Sequence, residues 1–168
     1  MQLESIEKPH LHIFVGSTSE FDQYVFRLRY EVAERCAVRV LRGTRMQDWS
    51  SFFSEIAAAL QFPLHFGNNW AALDECLADL EWIPAQGYLL ALSDAESILG
   101  STGAADDQLA FFQLLSRISD EWATGGAPGA TRQRGAIPFH VLLHTPSPDA
   151  ADSLKVRLPE GAGRVAHT

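Results

Sequence analysis

Phe62-Pro63-Leu64-His65-Phe66-Gly67-Asn68-Asn69-Trp70-Ala71-Ala72-Leu73-Asp74-Glu75-Cys76-Leu77-Ala78-Asp79-Leu80 is the most informative segment of this 168-residue chain. Pro63 stops any helix arriving from its N-terminal side. Gly67, Asn68 and Asn69 then supply loop residues, with Asn69 in position to cap the next helix. Beyond it, Trp70, Leu73, Leu77 and Leu80 recur at helical spacing and define one buried stripe, with Cys76 at its margin. At about 100° per residue, Glu75 and Asp79 fall opposite that stripe, Ala71 and Ala78 lie beside them, and Asp74 falls at the edge. The segment therefore predicts a loop feeding a helix that projects carboxylates among small side chains, where a partner can approach closely. A merely solvated helix face has the same pattern, so spacing alone leaves both readings open.

Upstream, Asp48 is placed to cap a helix whose buried stripe is Trp49, Phe52, Phe53, Ile56 and Leu60. Before it, Leu11 to Val15 and Ala37 to Leu41 read as short strands. Between them Phe21, Tyr24, Val25, Leu28 and Val32 form another stripe, with Ser19 and Asp22 matching a capping box. Downstream, the helix capped by Asn69 is expected to run to about Trp82, ahead of Pro84. Tyr88 to Leu92 then reads as a buried strand. Ser93 to Asp107 is polar, with one helical turn around Glu96 to Leu99. Phe111, Leu114, Leu115, Ile118 and Trp122 mark a long helix stopping at Gly125-Gly126. Gly125 to Ala136, with Arg132 and Arg134, reads as a mobile loop. Ile137 to Leu143 reads as the last strand. Strands alternate with helices and are continuous apolar runs, which predicts an α/β fold with a parallel sheet covered by helices.

Net charge is −8, and its distribution is uneven. Between Arg45 and Arg117 there is no Lys or Arg, while Asp48, Glu55, Asp74, Glu75, Asp79, Glu81, Asp94, Glu96, Asp106 and Asp107 all lie there. Such asymmetry disfavours a nucleic-acid or anionic-membrane partner and suits a cationic protein steered in from a distance. The two cysteines, Cys36 and Cys76, read as small buried hydrophobes. The N-terminus, Met1 to Lys8, does not have the pattern of a secretory signal, and no apolar run reaches a bilayer's span, so the expected location is cytoplasmic.

The Phe62–Leu80 segment resembles the barstar family of ribonuclease inhibitors, whose pattern is Leu-Pro-x-Tyr-Tyr-Gly-x-Asn-Leu-Asp-Ala-Leu-Trp-Asp-Cys-Leu. It is matched at Pro63, Phe66 (aromatic for aromatic), Gly67, Asn69, Ala72, Leu73, Cys76 and Leu77. The order of surrounding elements extends the resemblance over roughly Cys36 to Thr145. It implies a barstar-like small three-stranded parallel sheet packed with helices, extended here by an N-terminal strand–helix unit. The chain divides accordingly into an extension at 1–35, a barstar-like domain at 36–145, and a tail at 146–168 expected to lose its pattern and be largely disordered. The resemblance also implies a function: stoichiometric inhibition of a basic barnase-like ribonuclease or ribonuclease toxin, without chemistry of its own. In the family, the loop and following helix plug the nuclease active site, with helix carboxylates replacing substrate phosphate. The central family Asp becomes Glu75. A second Asp, one turn earlier, becomes Ala71. The family Trp becomes Asp74, and the first loop Tyr becomes His65. These departures imply a nuclease or toxin different from the one the family pattern fits. The expected partner-binding residues are His65, Phe66, Gly67, Asn68, Asn69, Ala71, Asp74, Glu75 and Asp79. Asp74 is a candidate to replace the charge lost at Ala71, His65 could make the complex pH-dependent, and a further family acid corresponds to either Asp120 or Glu121.

Two alternatives remain. One is an interaction or immunity module of the same fold for a basic partner that is not a nuclease. The other is a small phosphate-binding enzyme using the turn Gly16-Ser17-Thr18-Ser19 between a strand and a helix start. That turn has neither the dinucleotide fingerprint nor the Walker lysine. His10, His12, His140 and His144 are not accompanied by metal-site spacing, so structural histidines are expected, with no metal and no cofactor.

Overall fold

The continuous apolar runs become the middle of one parallel sheet. The structure, a computed structural model, describes residues 2–32, 34–102, 105–126, 135–158 and 163–164. Strand β1 (Leu11–Val15) leads into helix α1 (Thr18–Glu31), then β2 (Cys36–Arg42) and a 3-10 turn at Gly43–Arg45. Helices α2 (Trp49–Leu60) and α3 (Trp70–Asp79) precede β3 (Gly87–Ser93) and a second 3-10 turn at Ala95–Ser97. Then come α4 (Ala105–Thr124), β4 (Phe139–Thr145), α5 (Pro148–Arg157) and the short β5 (Gly163–Arg164). The strand order is β2-β3-β4-β1-β5, and every pairing is parallel.

Burial on both faces explains why the central strands are mostly apolar. Tyr88, Leu90 and Leu92 of β3 and Phe139, Val141 and Leu143 of β4 face a core shared with α2, α3 and α4. Leu89, Ala91 and Leu142 face the other side, where Phe21, Val25 and Leu28 of α1 pack with Phe14 and Val38. Both faces are covered, so neither set of side chains needs to be polar.

The three strands expected from the resemblance, β2, β3 and β4, are contiguous. The sheet is larger than expected, because β1 pairs with β4 along its whole length and β5 pairs with β1. The segment expected to lose its pattern instead contains a helix. Ser147 caps α5 through Ala150 N–H (3.2 Å), Pro148 occupies its first turn, and Ala151 and Leu154 are buried. The Arg132 and Arg134 part of the expected mobile loop lies outside the described residues.

Other boundaries shift for identifiable reasons. The capping box of α1 is Ser17 and Glu20, not Ser19 and Asp22: the Glu20 amide donates to Ser17 Oγ (3.3 Å), and Ser17 N–H donates back to Glu20 Oε2 (2.7 Å). Helix α3 ends at Asp79, short of Trp82, because Leu80 adopts φ 46° and drops into the core while Trp82 Nε1–H donates to the Leu60 carbonyl (2.9 Å). Cys36 and Cys76 are half-buried free thiols rather than fully buried ones, and burial is the main cause pushing both up from the ordinary thiol value. Among the described residues no helix is long and apolar enough to cross a membrane.

Candidate partner-binding face on helix α3

Local rules build this site and the aromatic core holds it. Helix α2 closes with Gln61 in the left-handed region (φ 51°), and Phe66 N–H donates to the Pro63 carbonyl (2.9 Å), making a turn that exposes Leu64 and His65. Phe66 does not project outward. It is half-buried against Phe62 (ring centroids 4.9 Å apart) and Phe53 (6.0 Å), and so anchors the loop. Asn68 takes φ 48°, a conformation Asn tolerates better than most residues. Asn69 Oδ1 accepts the Ala72 amide (2.9 Å), and its Nδ2 donates to the Gly67 carbonyl (3.1 Å), coupling loop and helix through one side chain. Below, Leu73 and Leu77 are fully buried, Trp70 packs edge-on against Trp49 (5.4 Å), and Trp122 Nε1–H of α4 donates to the Leu77 carbonyl (2.9 Å).

On the outward side, Ala71 and Glu75 are exposed and Asp79 is half-buried. Among the described residues Glu75 has no hydrogen-bond or ion-pair partner. Asp74 differs: its Oδ2 pairs with Arg117 Nη2 of α4 at 2.7 Å, and Arg117 also holds Glu121. The hydrogen bond from Arg117 to Asp74 is the main cause raising the guanidinium above its ordinary value. Asp74 is thus turned toward α4 and does not occupy the direction left empty by Ala71. The two acids considered on α4 also separate. Asp120 binds Lys8 (2.8 Å) and approaches His10 (3.4 Å) on the N-terminal side, whereas Glu121 joins the α3 group through Arg117.

Sequence reasoning missed two members of this surface. Leu64 is fully exposed at the loop tip, and its signal is an apolar residue in a turn, outside any periodic stripe. Arg117 is the first cation after the acidic stretch, too far along the chain for spacing to place it beside Asp74.

The Gly16–Ser19 turn is arranged differently. Ser17 N–H and Ser17 Oγ–H both donate to the Glu20 carboxylate at 2.7 Å, so the helix start already holds an anion. His144, fully buried, locks the turn from below: Nε2–H donates to the Gly16 carbonyl (2.8 Å), and Nδ1 accepts the Asp94 amide (3.1 Å). His10, His12 and His140 form a separate buried group at the opposite ends of β1 and β4. His140 Nε2–H donates to the Ser5 carbonyl (2.9 Å), which leaves its Nδ1 to accept from His12 Nε2–H (3.1 Å). Among the described residues no His, Cys, Asp or Glu group has the arrangement of a metal site.

Comparison with solved structures finds similar folds. The ADP form of the ORC2 protein of Aeropyrum pernix aligns with 95% of this chain at 15% identity and a TM-score of 0.65. The same protein in ADPNP–ADP complexes aligns over 92% at 15% identity and 0.61. Cdc6p of Pyrobaculum aerophilum aligns over 92% at 16% identity and 0.54. The matches cover only 42%, 41% and 38% of those longer chains, and at such identity they speak to the fold alone. No curated protein matches the chain. The family model described as Barstar (barnase inhibitor) matches residues 36–144, well over half of the sequence, and the chain belongs to that family.

Proposed function

We propose that the protein is a stoichiometric inhibitor that inserts its α3 face and the preceding loop into the active site of a basic ribonuclease or ribonuclease toxin, protecting the producing cell from within. One observation carries this reading: Glu75 projects, without a partner among the described residues, from a helix whose buried side is fixed by Leu73, Leu77 and the Trp122 hydrogen bond. A nuclease binds a polyanion, so its catalytic cleft is lined with cations. A carboxylate held rigidly meets those cations without losing much conformational freedom, and charge-assisted hydrogen bonds are the strong kind.

Leu64 and His65 would contact the rim of the cleft, Ala71 would let the nuclease backbone approach, and Asp79 would extend the negative field along α3. Arg117 tempers that field, so the cognate cleft should place its main cation over Glu75 rather than over Asp74. Family membership favours a ribonuclease over another basic partner. Phosphate binding at Gly16–Ser19 gains no support from the fold likeness, because Glu20 occupies the helix start.

The test is calorimetric titration of the protein into a panel of secreted basic ribonucleases. The expected result is one-to-one binding to at least one, weakening steeply as salt rises. Binding to none of a broad panel would move the reading to the non-nuclease partner.

A further inference from the structure

Strand β2 forms an open edge of the sheet, and beside it lies an open cavity of about 610 Å³. It sits at a seam. Arg29 and Arg35 precede the family-matched region, while Arg39, Trp82, Ile83 and Pro84 belong to it. The cavity therefore exists because the N-terminal unit packs against the family domain.

The arginines are arranged unusually. Arg29 Nη2 and Arg39 Nη1 both donate to the Val38 carbonyl, at 3.4 and 3.3 Å. Arg29 arrives from the α1 side of the sheet. Arg39 shares the strand face of Ala37 and Leu41, which contact the opposite core, so two guanidiniums close over one edge carbonyl from both faces. One guanidinium suffices to shield that carbonyl from strand pairing. A second adds like-charge repulsion, and neither has a carboxylate partner: the arginine ion pairs of the described residues belong to Arg35, Arg42 and Arg117. Arg35 is paired with Glu4, and Glu34 is the carboxylate lining the cavity. Trp82, which also lines the cavity, is held by its Nε1–H bond to the Leu60 carbonyl and by edge-on packing against Phe62 (5.9 Å), giving a fixed apolar wall with Ile83 and Pro84.

We propose that this cavity binds the phosphate group of a small ligand, the Arg29 and Arg39 forks taking the dianion and the Trp82 wall taking a flat substituent. A guanidinium fork matches phosphate geometry, and cavities of several hundred Å³ hold ligands of this size. The overall charge of −8 opposes a long polyanion but leaves a small dianion free to enter. This site is independent of the α3 face.

The experiment titrates the full chain, at low salt, with inorganic phosphate and with phenyl phosphate, following amide and indole resonances and heat. Saturable one-site binding is expected, with a Kd below about 1 mM, shifting Ala37 to Arg39 and the Trp82 indole. Tighter binding of phenyl phosphate than of inorganic phosphate supports the proposal, whereas equal binding of the two would overturn the role given to the Trp82 wall. Arg29→Gln and Arg39→Gln should each weaken binding by about ten-fold or more, with the unfolding midpoint of each variant checked alongside. No saturation up to about 10 mM would overturn the proposal. So would shifts confined to residues 61–79 of the wild-type protein, or undiminished affinity in a folded double variant.

Discussion

Glu75 and Asp74 are neighbours on one helix with opposite electrostatic circumstances: one is unpaired among the described residues, and the other is tied to Arg117. Glu75→Ala removes no buried atom and no internal bond, so its unfolding midpoint should match the wild type. Its affinity for the cognate nuclease should fall by at least about ten-fold, a modest part of what losing one side of a desolvated charge pair costs. Calorimetry and thermal unfolding on the same sample check both halves. Arg117→Gln makes a converse case. The Asp74 pair is half-exposed and worth about 1 kcal/mol or less, so stability should barely change. Releasing Asp74 and Glu121 and deleting a cation should raise the association rate with a basic partner at low salt, by about two- to five-fold, as measured by stopped-flow. A slower association would show that Arg117 itself touches the partner. Helical periodicity is enough to expose Glu75 and Ala71 in the sequence. It cannot pair Asp74, because the partner lies on another helix.

Helix α3 is readable in the sequence almost in full. Its cap, buried stripe and outward acids follow from Asn69 and the spacing of Leu73 and Leu77, and only its end is displaced, by packing of Leu80 and Trp82 that no local rule encodes. The strands β1, β3 and β4 are similarly legible, because burial on both faces makes them largely apolar runs, broken in β1 and β4 by the buried His12, His140 and His144. Helix α5 escapes a reading by periodicity although Ser147-Pro148 announces it, because its buried stripe consists of little more than Ala151, Leu154 and the following Leu158. Phe66, expected from the family resemblance to bind the partner, packs half-buried because the aromatic side chains around it form a continuous cluster. The pivot joining loop to helix is Asn69. Asn69→Ala should cost about 1 kcal/mol of stability through the lost cap, read from the urea midpoint. It should also weaken nuclease binding, since the Gly67 carbonyl loses its tether. Unchanged binding would mean that the loop is held by Phe66 alone.

Two assemblies of opposite character share the sheet. Acids gather on α3 and its surroundings, while β1 and β4 bury three histidines together. Desolvation is the leading cause holding His10, His12 and His140 below the usual value of 6.5, with His12 lowered to about 4. The mutual proximity of the rings adds to this, as does Lys8 for His10. Asp120 opposes it at His10, and the Ser5 carbonyl opposes it at His140. Because the folded chain favours the neutral rings, the unfolded chain binds more protons below 6.5, and stability must fall as pH drops from there toward about 4. Urea midpoints across that window should decline in the wild type and flatten in His12→Asn, whereas equal slopes would show that the cluster does not set the acid sensitivity.

The claim that an acidic helix blocks a cationic active site is tested most directly by titrating ribonuclease turnover with this protein. Wild type should abolish activity of the cognate enzyme at one equivalent, while Glu75→Ala should require an excess of about ten-fold or more. Equal inhibition by both proteins would place the contact elsewhere on the molecule and contradict that claim.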